Sequence, residues 1–362
     1  MARGCRAGPS RLFFEVSGRE HAKSRFGGGR SASAWARSLG SFVQHREDDL
    51  PWCPPVPNSM RAAVILSKQR SGTTALRMAL GTMPGVRDWG EVFHHVRGPQ
   101  DDPNYERFHI HPEAGFFTFR EALFRQSPEV SFPTEAHQLE VWQRYLSMVE
   151  SLAPQALHLF DIKYNSAHHL DPIYHSQFEA PLLLTALARD GCPVVHLVRR
   201  DLLAQALSLL RAQRTDVWHR AARDTAPVDR AEMVVDPEYV FWTMEVARWE
   251  IERQTGYLQS HPRVMSLDYE SLYRNDGSFA PDVLGVMVEF LGMTPVSPPV
   301  RPPMARMPHR LFDGVSNRDA ILEYLASTRY ADLVAAHRSQ IPDRGMPPAE
   351  GATDSLGPRH SS

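Results

Sequence analysis

Short apolar runs of strand length alternate with amphipathic helical stretches between residues 61 and 338 of the chain. The alternation begins with an apolar run at 64–66 and a polar turn. Apolar residues then recur at the i, i+3, i+4 and i+7 spacing of one helix face, at Leu76, Ala79, Leu80 and Met83. This pattern predicts an α/β fold, a three-layer sandwich with helices on both faces of a central parallel sheet. The predicted strands are 61–67, 157–163, 193–198 and 263–268, and the predicted helices are 73–83, 136–153, 180–189, 201–214, 237–259, 279–291 and 317–338.

Three segments fall outside this alternation. Residues 84–135 are rich in His, Phe and Pro without clear periodicity, and we expect this irregular stretch to shape the acceptor site. Residues 1–59, rich in Arg, Ser and Gly, are predicted to be a disordered extension, and 341–362 a disordered tail. The folded domain is therefore predicted over 60–340. Met60 directly precedes the first strand, so one hypothesis is that the functional protein begins there; an organelle-targeting peptide is the competing hypothesis.

Composition and charge narrow the kinds of partner. The 362 residues carry a net charge of −2, which gives no reason to expect nucleic acid or an anionic membrane surface as a partner. No apolar run approaches the roughly 18 residues of a membrane span, and the three cysteines lack metal-ligand spacing. We therefore expect a cytoplasmic protein without stable membrane insertion, in which any anion binding is local.

The turn after the first predicted strand has the features of an anion site. The first turn of a helix has unpaired N–H groups and the positive end of the helix dipole, and a glycine lets the backbone approach a bound oxyanion. Three side chains of the turn can add further donors. The turn consists of Arg70, Ser71, Gly72, Thr73 and Thr74.

A nucleotide P-loop is one candidate for this turn, but two positions do not fit. With Gly72 as the second glycine of G-x-x-x-x-G-K-[ST], Ser67 stands at the first glycine and Thr73 at the lysine. Hydrolysis of ATP or GTP is therefore disfavoured. An atypical P-loop kinase is kept as an alternative, as is a non-catalytic binding module that retains the nucleotide fold.

The turn resembles the phosphosulfate-binding loop of sulfotransferases that use 3′-phosphoadenosine-5′-phosphosulfate (PAPS). In that family a second strand ends in an arginine, which grips the 3′-phosphate together with a serine about two helical turns later. Arg199, Arg200 and Ser208 match this second pattern, and their spacing leaves open which arginine is the partner of Ser208. Planar guanidinium groups suit phosphate because they offer paired donors.

The sequence of residues 199–215 resembles the bacterial branch of sulfotransferases that includes trehalose-sulfating enzymes, and the likeness extends over about 61–335. The resemblance implies the P-loop-like sulfotransferase fold and PAPS as co-substrate, with no metal required. It also implies a carbohydrate or glycoconjugate hydroxyl as acceptor, either a small molecule or a glycan. A homodimer is one oligomeric state that we consider.

The same resemblance points to a catalytic base. A glutamate shortly after the first helix, followed closely by an aromatic residue, is the base of the bacterial branch, and Glu91 with Phe93 matches it. Gly90 and Trp89 stand where that branch usually has a proline. His94 and His95 are alternative bases, since an ordinary histidine pKa near 6.5 suits proton transfer.

Other polar residues have less specific roles. Arg70 is expected to balance charge on the transferring group, and Lys163, at the end of a predicted strand, resembles a basic residue that lines the acceptor site in the family. The close pairs His109 with His111 and His168 with His169 raise the hypothesis of a metal site. Solvated loop histidines explain these pairs without a metal.

Overall fold

A parallel sheet forms the centre of the protein in a computed structural model, which describes residues 60–94, 112–176, 178–215, 232–274, 277–294 and 311–339. Within these residues the sheet has five strands in the order β2-β3-β1-β4-β5, and each pair of neighbours is parallel. The carboxyl ends of all five strands therefore meet at one edge. The strands are β1 Arg61–Ser67, β2 Val86–Gly90, β3 Leu157–Lys163, β4 Val194–Val198 and β5 Val264–Asp268.

Helices cover both faces of this sheet, because successive side chains of a strand point to opposite faces. Val64 and Leu66 of β1 pack into one apolar cluster, whereas Ala63 and Ile65 pack into the other. The three-layer prediction is confirmed. The helices are α1 Thr73–Leu80, α2 Phe116–Gln126, α3 Glu135–Leu152, α4 Leu182–Arg189, α5 Leu202–Thr215, α6 Pro237–Leu258, α7 Tyr269–Leu272, α8 Pro281–Phe290, α9 Arg318–Ala326 and α10 Ala331–Ser339.

The prediction of an irregular stretch over 84–135 was wrong at two places. It contains the edge strand β2, in which two charged residues, Arg87 and Asp88, are adjacent. The strand therefore lacks the alternation of apolar and polar residues that is typical of a half-buried strand. Asp88 is held instead by a specific ion pair of 2.6 Å with Arg77 of α1. The same stretch contains α2, whose buried residues are few.

The predicted helix 317–338 is two helices, α9 and α10. At the break the Ser327 hydroxyl donates to Tyr324 O and the Thr328 hydroxyl to Leu325 O, both at 2.7 Å. Such local bonds compete with the helical ladder and end α9. The extension 1–59 and the tail 341–362 lie outside the described residues, so those two predictions stand as predictions. None of the described helices is both long and apolar enough to cross a membrane.

A buried histidine on β4 makes the stability of this fold depend on pH. His196 is 1% exposed, and its Nε2 shares a hydrogen bond of 2.7 Å with the Tyr164 hydroxyl. Burial, and secondly the charge of Arg200, lowers the pKa of His196 to about 4. The unfolded chain, with a histidine pKa near 6.5, binds a proton that the native state does not. Stability is therefore lost as pH falls below 6.5 towards 4.

From this group alone we expect the free energy of unfolding to fall by about 2 kcal/mol between pH 7 and pH 5. Denaturant unfolding at the two pH values measures the change. His196→Gln is the matched variant, since an amide can keep a hydrogen bond to Tyr164 without titrating. In the variant, the fall in unfolding free energy between pH 7 and pH 5 should be smaller by about 2 kcal/mol. An equal fall in the two proteins would mean that His196 is not the group responsible.

Candidate active site

The turn between β1 and α1 contains two residues with left-handed backbone on either side of Ser71. Arg70 has φ +66° and Gly72 has φ +79°. Left-handed residues in a turn help successive backbone N–H groups to converge on one point, where an anion can bind. Thr73 and Thr74 follow as the first residues of α1, so their N–H groups lie in the unpaired first turn. The backbone form of the turn is therefore compatible with the anion binding that the sequence predicts.

Gly72 lies against the aromatic residues of α7 and its end. A Cβ on Gly72 would stand 2.7 Å from Tyr269 Cε2 and 3.2 Å from Tyr273 Cε2. The Tyr273 hydroxyl donates to Gly72 O at 2.8 Å. These contacts hold the Gly72 backbone against the two tyrosines and leave no room for a side chain at position 72.

The two sequence-predicted anion segments meet in space, and their contacts separate the two candidate arginines. Arg70 Nε donates to Ser208 Oγ at 3.0 Å, and Arg199 Nη1 donates to Arg70 O at 3.1 Å. Arg200 instead binds Asp268 Oδ1 at 2.8 Å, with 64% of its side chain exposed. The structure therefore brings Arg70, Arg199 and Ser208 together and directs Arg200 elsewhere.

Arg70 and Arg199 are two cations close enough to affect each other's charge. Burial, followed by the nearby charge of Arg199, lowers the pKa of Arg70 to about 10, so Arg70 still carries its charge at neutral pH. The Arg199 guanidinium lies 4.8 Å from the centre of the Tyr269 ring. The charges of Arg70 and Arg199 repel each other, and an anion bound near both side chains would relieve that repulsion.

Helix α5 holds the turn through a residue that the sequence patterns did not single out. Gln205 Nε2 donates to Gln69 O at 2.9 Å and to Ser71 Oγ at 3.0 Å. The start of the same helix is fixed by Glu270, whose carboxylate accepts from the backbone N–H groups of Arg200 and Asp201. Gln205 lies three residues before Ser208, a helical spacing that could have identified it as a neighbour.

Glu91 lies at the other side of the turn, beside Lys163. Its Oε1 is 3.4 Å from Lys163 Nζ, and Lys163 also donates to Thr73 Oγ1 at 2.5 Å. The juxtaposition follows from the strand order, because β3 lies between β1 and β2. The backbone turns at Gly90, which has φ +76° where the register of β2 shifts. A glycine thus stands at a left-handed position where the bacterial branch usually has proline.

The structure describes three of the candidate histidines, His94, His168 and His169. The His94 side chain is exposed, and its backbone N–H donates to Glu91 O at 2.8 Å. His95, His109 and His111 lie outside the described residues. Neither His168 nor His169 is fully solvated: His168 Nδ1 is bonded to Asp171 Oδ2 at 2.6 Å, and the His169 ring packs 5.8 Å from Phe93. Within the described ranges no group of three or more His, Cys, Asp or Glu side chains could hold a metal ion.

A buried carboxylate, Asp161, lies directly beneath Lys163. It accepts from Lys163 Nζ at 2.7 Å and is 3.6 Å from Arg77 Nε. Burial raises the pKa of Asp161, against the opposing charges of Lys163 and Arg77. Sequence reasoning missed Asp161, although a charged residue two positions before Lys163 on one strand must share its face.

Comparison with known proteins gives the family of the chain. The model of the Stf0 sulphotransferase family matches residues 62–310, more than half of the chain. Solved structures that this chain is similar to include the sulfotransferase domain of the Synechococcus PCC 7002 olefin synthase, with 19% identity and a TM-score of 0.32. That match covers 68% of this chain and 78% of the other. Mouse sulfotransferase SULT7A1, complexed with PAP, has 11% identity and a TM-score of 0.33, covering 78% and 90%. No curated protein matches the chain. The chain belongs to the Stf0 sulphotransferase family and is a sulfotransferase.

Proposed function

We propose that the protein transfers a sulfuryl group from PAPS to a hydroxyl of a carbohydrate or glycoconjugate. The observation that carries the proposal is the meeting of two clusters at one turn. Arg70, Arg199 and Ser208 lie at one side of it, and Glu91 with Lys163 lies at the other. One cluster suits an anionic donor, and the other suits deprotonation of an acceptor.

The donor would bind by its two anionic groups. The backbone and hydroxyl groups of residues 70–74 would hold the 5′-phosphosulfate at the start of α1. Arg199 and Ser208 would hold the 3′-phosphate, and the bond from Arg70 to Ser208 at 3.0 Å links the two positions. Arg70 would thus lie between both anions, which its retained charge favours.

The reaction requires an in-line displacement at sulfur. Glu91 would take the proton of the acceptor hydroxyl. The hydroxyl oxygen would bond to sulfur while the bond from sulfur to the bridging phosphate oxygen breaks. Adenosine 3′,5′-bisphosphate leaves. Lys163 and Arg70 would stabilise the negative charge on the transferring group and on the departing oxygen. The carbohydrate class of the acceptor comes from the resemblance to the bacterial branch. The cytoplasmic location and the homodimer remain predictions.

Thermal unfolding with adenosine 3′,5′-bisphosphate tests the donor site. A ligand that binds only the folded state stabilises it by about 2.7 kcal/mol at 100 times its dissociation constant, a clear rise in Tm. Arg199→Ala should weaken this binding by about 10- to 100-fold, because a charge-assisted bond to phosphate is lost. Arg200→Ala is the matched control, since Arg200 is bound to Asp268. The affinity of this variant for adenosine 3′,5′-bisphosphate should stay within about threefold of the wild-type value.

Magnesium ATP serves as the competing ligand in the same experiment. Stabilisation by magnesium ATP alone would favour the atypical P-loop kinase. The family match favours sulfuryl transfer, as does Thr73, which stands where a P-loop has its lysine. No response to any nucleotide would favour the non-catalytic binding module. A larger loss in Arg200→Ala than in Arg199→Ala would reverse the assignment of the two arginines.

A further inference from the structure

Asp161 is a charged residue on β3, a strand whose residues are all buried. All seven residues of β3 are buried, and Asp161 is 1% exposed, paired in register with the apolar Ile65 of β1. A carboxylate in such a place costs stability unless it is paired and hydrogen-bonded. The apolar pattern of the strand does not require it, so its partners indicate what it does.

Those partners form a chain of alternating charges beneath the candidate active site. Arg77 Nη1 binds Asp88 Oδ2 at 2.6 Å, and Arg77 Nε lies 3.6 Å from Asp161 Oδ2. Asp161 Oδ1 accepts from Lys163 Nζ, which lies 3.4 Å from Glu91 Oε1. The chain begins and ends on the segment that carries β2 and Glu91, so it fixes that segment to α1 and β3.

Lys163 lies at the junction of three elements. An ammonium group has three N–H donors, and the three oxygens around this one belong to Thr73 of α1, Asp161 of β3 and Glu91 after β2. We propose that Asp161 is a positioning residue that holds the Lys163 ammonium between Thr73 and Glu91. The ammonium is then shared among three oxygens and does not pair with Glu91 only. The inference rests on the proposed role of Glu91 as base.

Sharing the lysine keeps Glu91 a usable base. The charged groups that face Glu91 include two cations, Lys163 of β3 and Arg70 of the turn, and one anion, Asp161. Without Asp161 the combined effect of both cations on Glu91 would be stronger. A carboxylate held more strongly by cations binds protons more weakly and removes a proton from a hydroxyl less effectively.

Asp161→Asn in the full chain tests this inference, with the Glu91 carboxyl carbon followed by NMR on ¹³C-glutamate-labelled protein. The Glu91 signal is identified by its absence in Glu91→Gln. We expect the titration midpoint of Glu91 to move down by about 1 pH unit in Asp161→Asn. Asp88→Asn is the matched control. Asp88 binds Arg77 and accepts from Gly90 N at 2.9 Å, so this variant weakens the anchoring of the segment that carries Glu91 without removing a bond to Lys163, and its shift should be clearly smaller.

The titration midpoint of Glu91 can also contradict the inference. An unchanged or raised midpoint in Asp161→Asn, or an equal shift in Asp88→Asn, would overturn the inference. If Asp161→Asn does not unfold cooperatively, Asp161→Ser removes the same charge with less bulk and is read in the same way. The midpoint is independent of substrate, whereas adenosine 3′,5′-bisphosphate binding tests the donor site, so failure of the inference and failure of the proposed function are distinguishable.

Discussion

Glu91→Gln is expected to lower kcat for sulfuryl transfer by about 10²- to 10⁴-fold, the range typical for loss of a general base. Glutamine keeps the shape of glutamate and can still lie beside Lys163, but it cannot accept the hydroxyl proton. The affinity for adenosine 3′,5′-bisphosphate should not fall by more than about threefold, because the bonds from Arg70 to Ser208 and from Arg199 to Arg70 O do not involve Glu91. The fall should therefore appear in kcat.

The measurement is the initial rate of sulfate transfer from labelled PAPS to a carbohydrate acceptor chosen by screening the wild-type protein. His94→Gln is assayed in parallel, since His94 is the described alternative base. A large loss in His94→Gln together with a small loss in Glu91→Gln would assign the base to the histidine. Equal losses in kcat and in nucleotide affinity for Glu91→Gln would mean that the residue supports binding and not proton transfer.

The sequence predicted the parts of this site that depend on local chain chemistry. The strand, turn and helix around residues 70–74 are specified by an apolar run, a glycine and a helical stripe, and the structure has them with bounds within a few residues. The parallel sheet and its coverage on both faces followed from the alternation of elements. These features need no knowledge of distant contacts.

The features that the sequence did not predict depend on contacts between segments distant in the chain. Strand β2 is held by the ion pair of Asp88 with Arg77, and neither residue alone indicates a strand. Arg199 and Arg200 are adjacent in sequence, but Arg200 binds Asp268 of β5 whereas Arg199 binds Arg70 O. Asp161 also interrupts an apolar pattern, and its meaning becomes clear once Lys163 and Arg77 are placed beside it.

Gly72→Ala is expected to have the largest effect on the donor site. An alanine at φ +79° costs about 1–2 kcal/mol, and its Cβ would stand 2.7 Å from Tyr269 Cε2, so the ring must move. Tyr269 also supports the Arg199 guanidinium at 4.8 Å. Displacing the ring therefore disturbs the turn and the arginine together. We expect the variant to lose roughly 2–4 kcal/mol of stability and to bind adenosine 3′,5′-bisphosphate at least about 30-fold more weakly, roughly 2 kcal/mol.

Gly85→Ala separates the two causes of this loss. Gly85 has φ +75°, nearly the same as Gly72, but a Cβ there has nothing within 4 Å. This variant should lose about 1–2 kcal/mol from backbone strain and keep its affinity for the nucleotide. Denaturant unfolding and nucleotide titration of both variants measure the difference. If Gly72→Ala lost no more than Gly85→Ala in either measurement, the contact with Tyr269 would not shape the donor site, because backbone strain alone would account for both results.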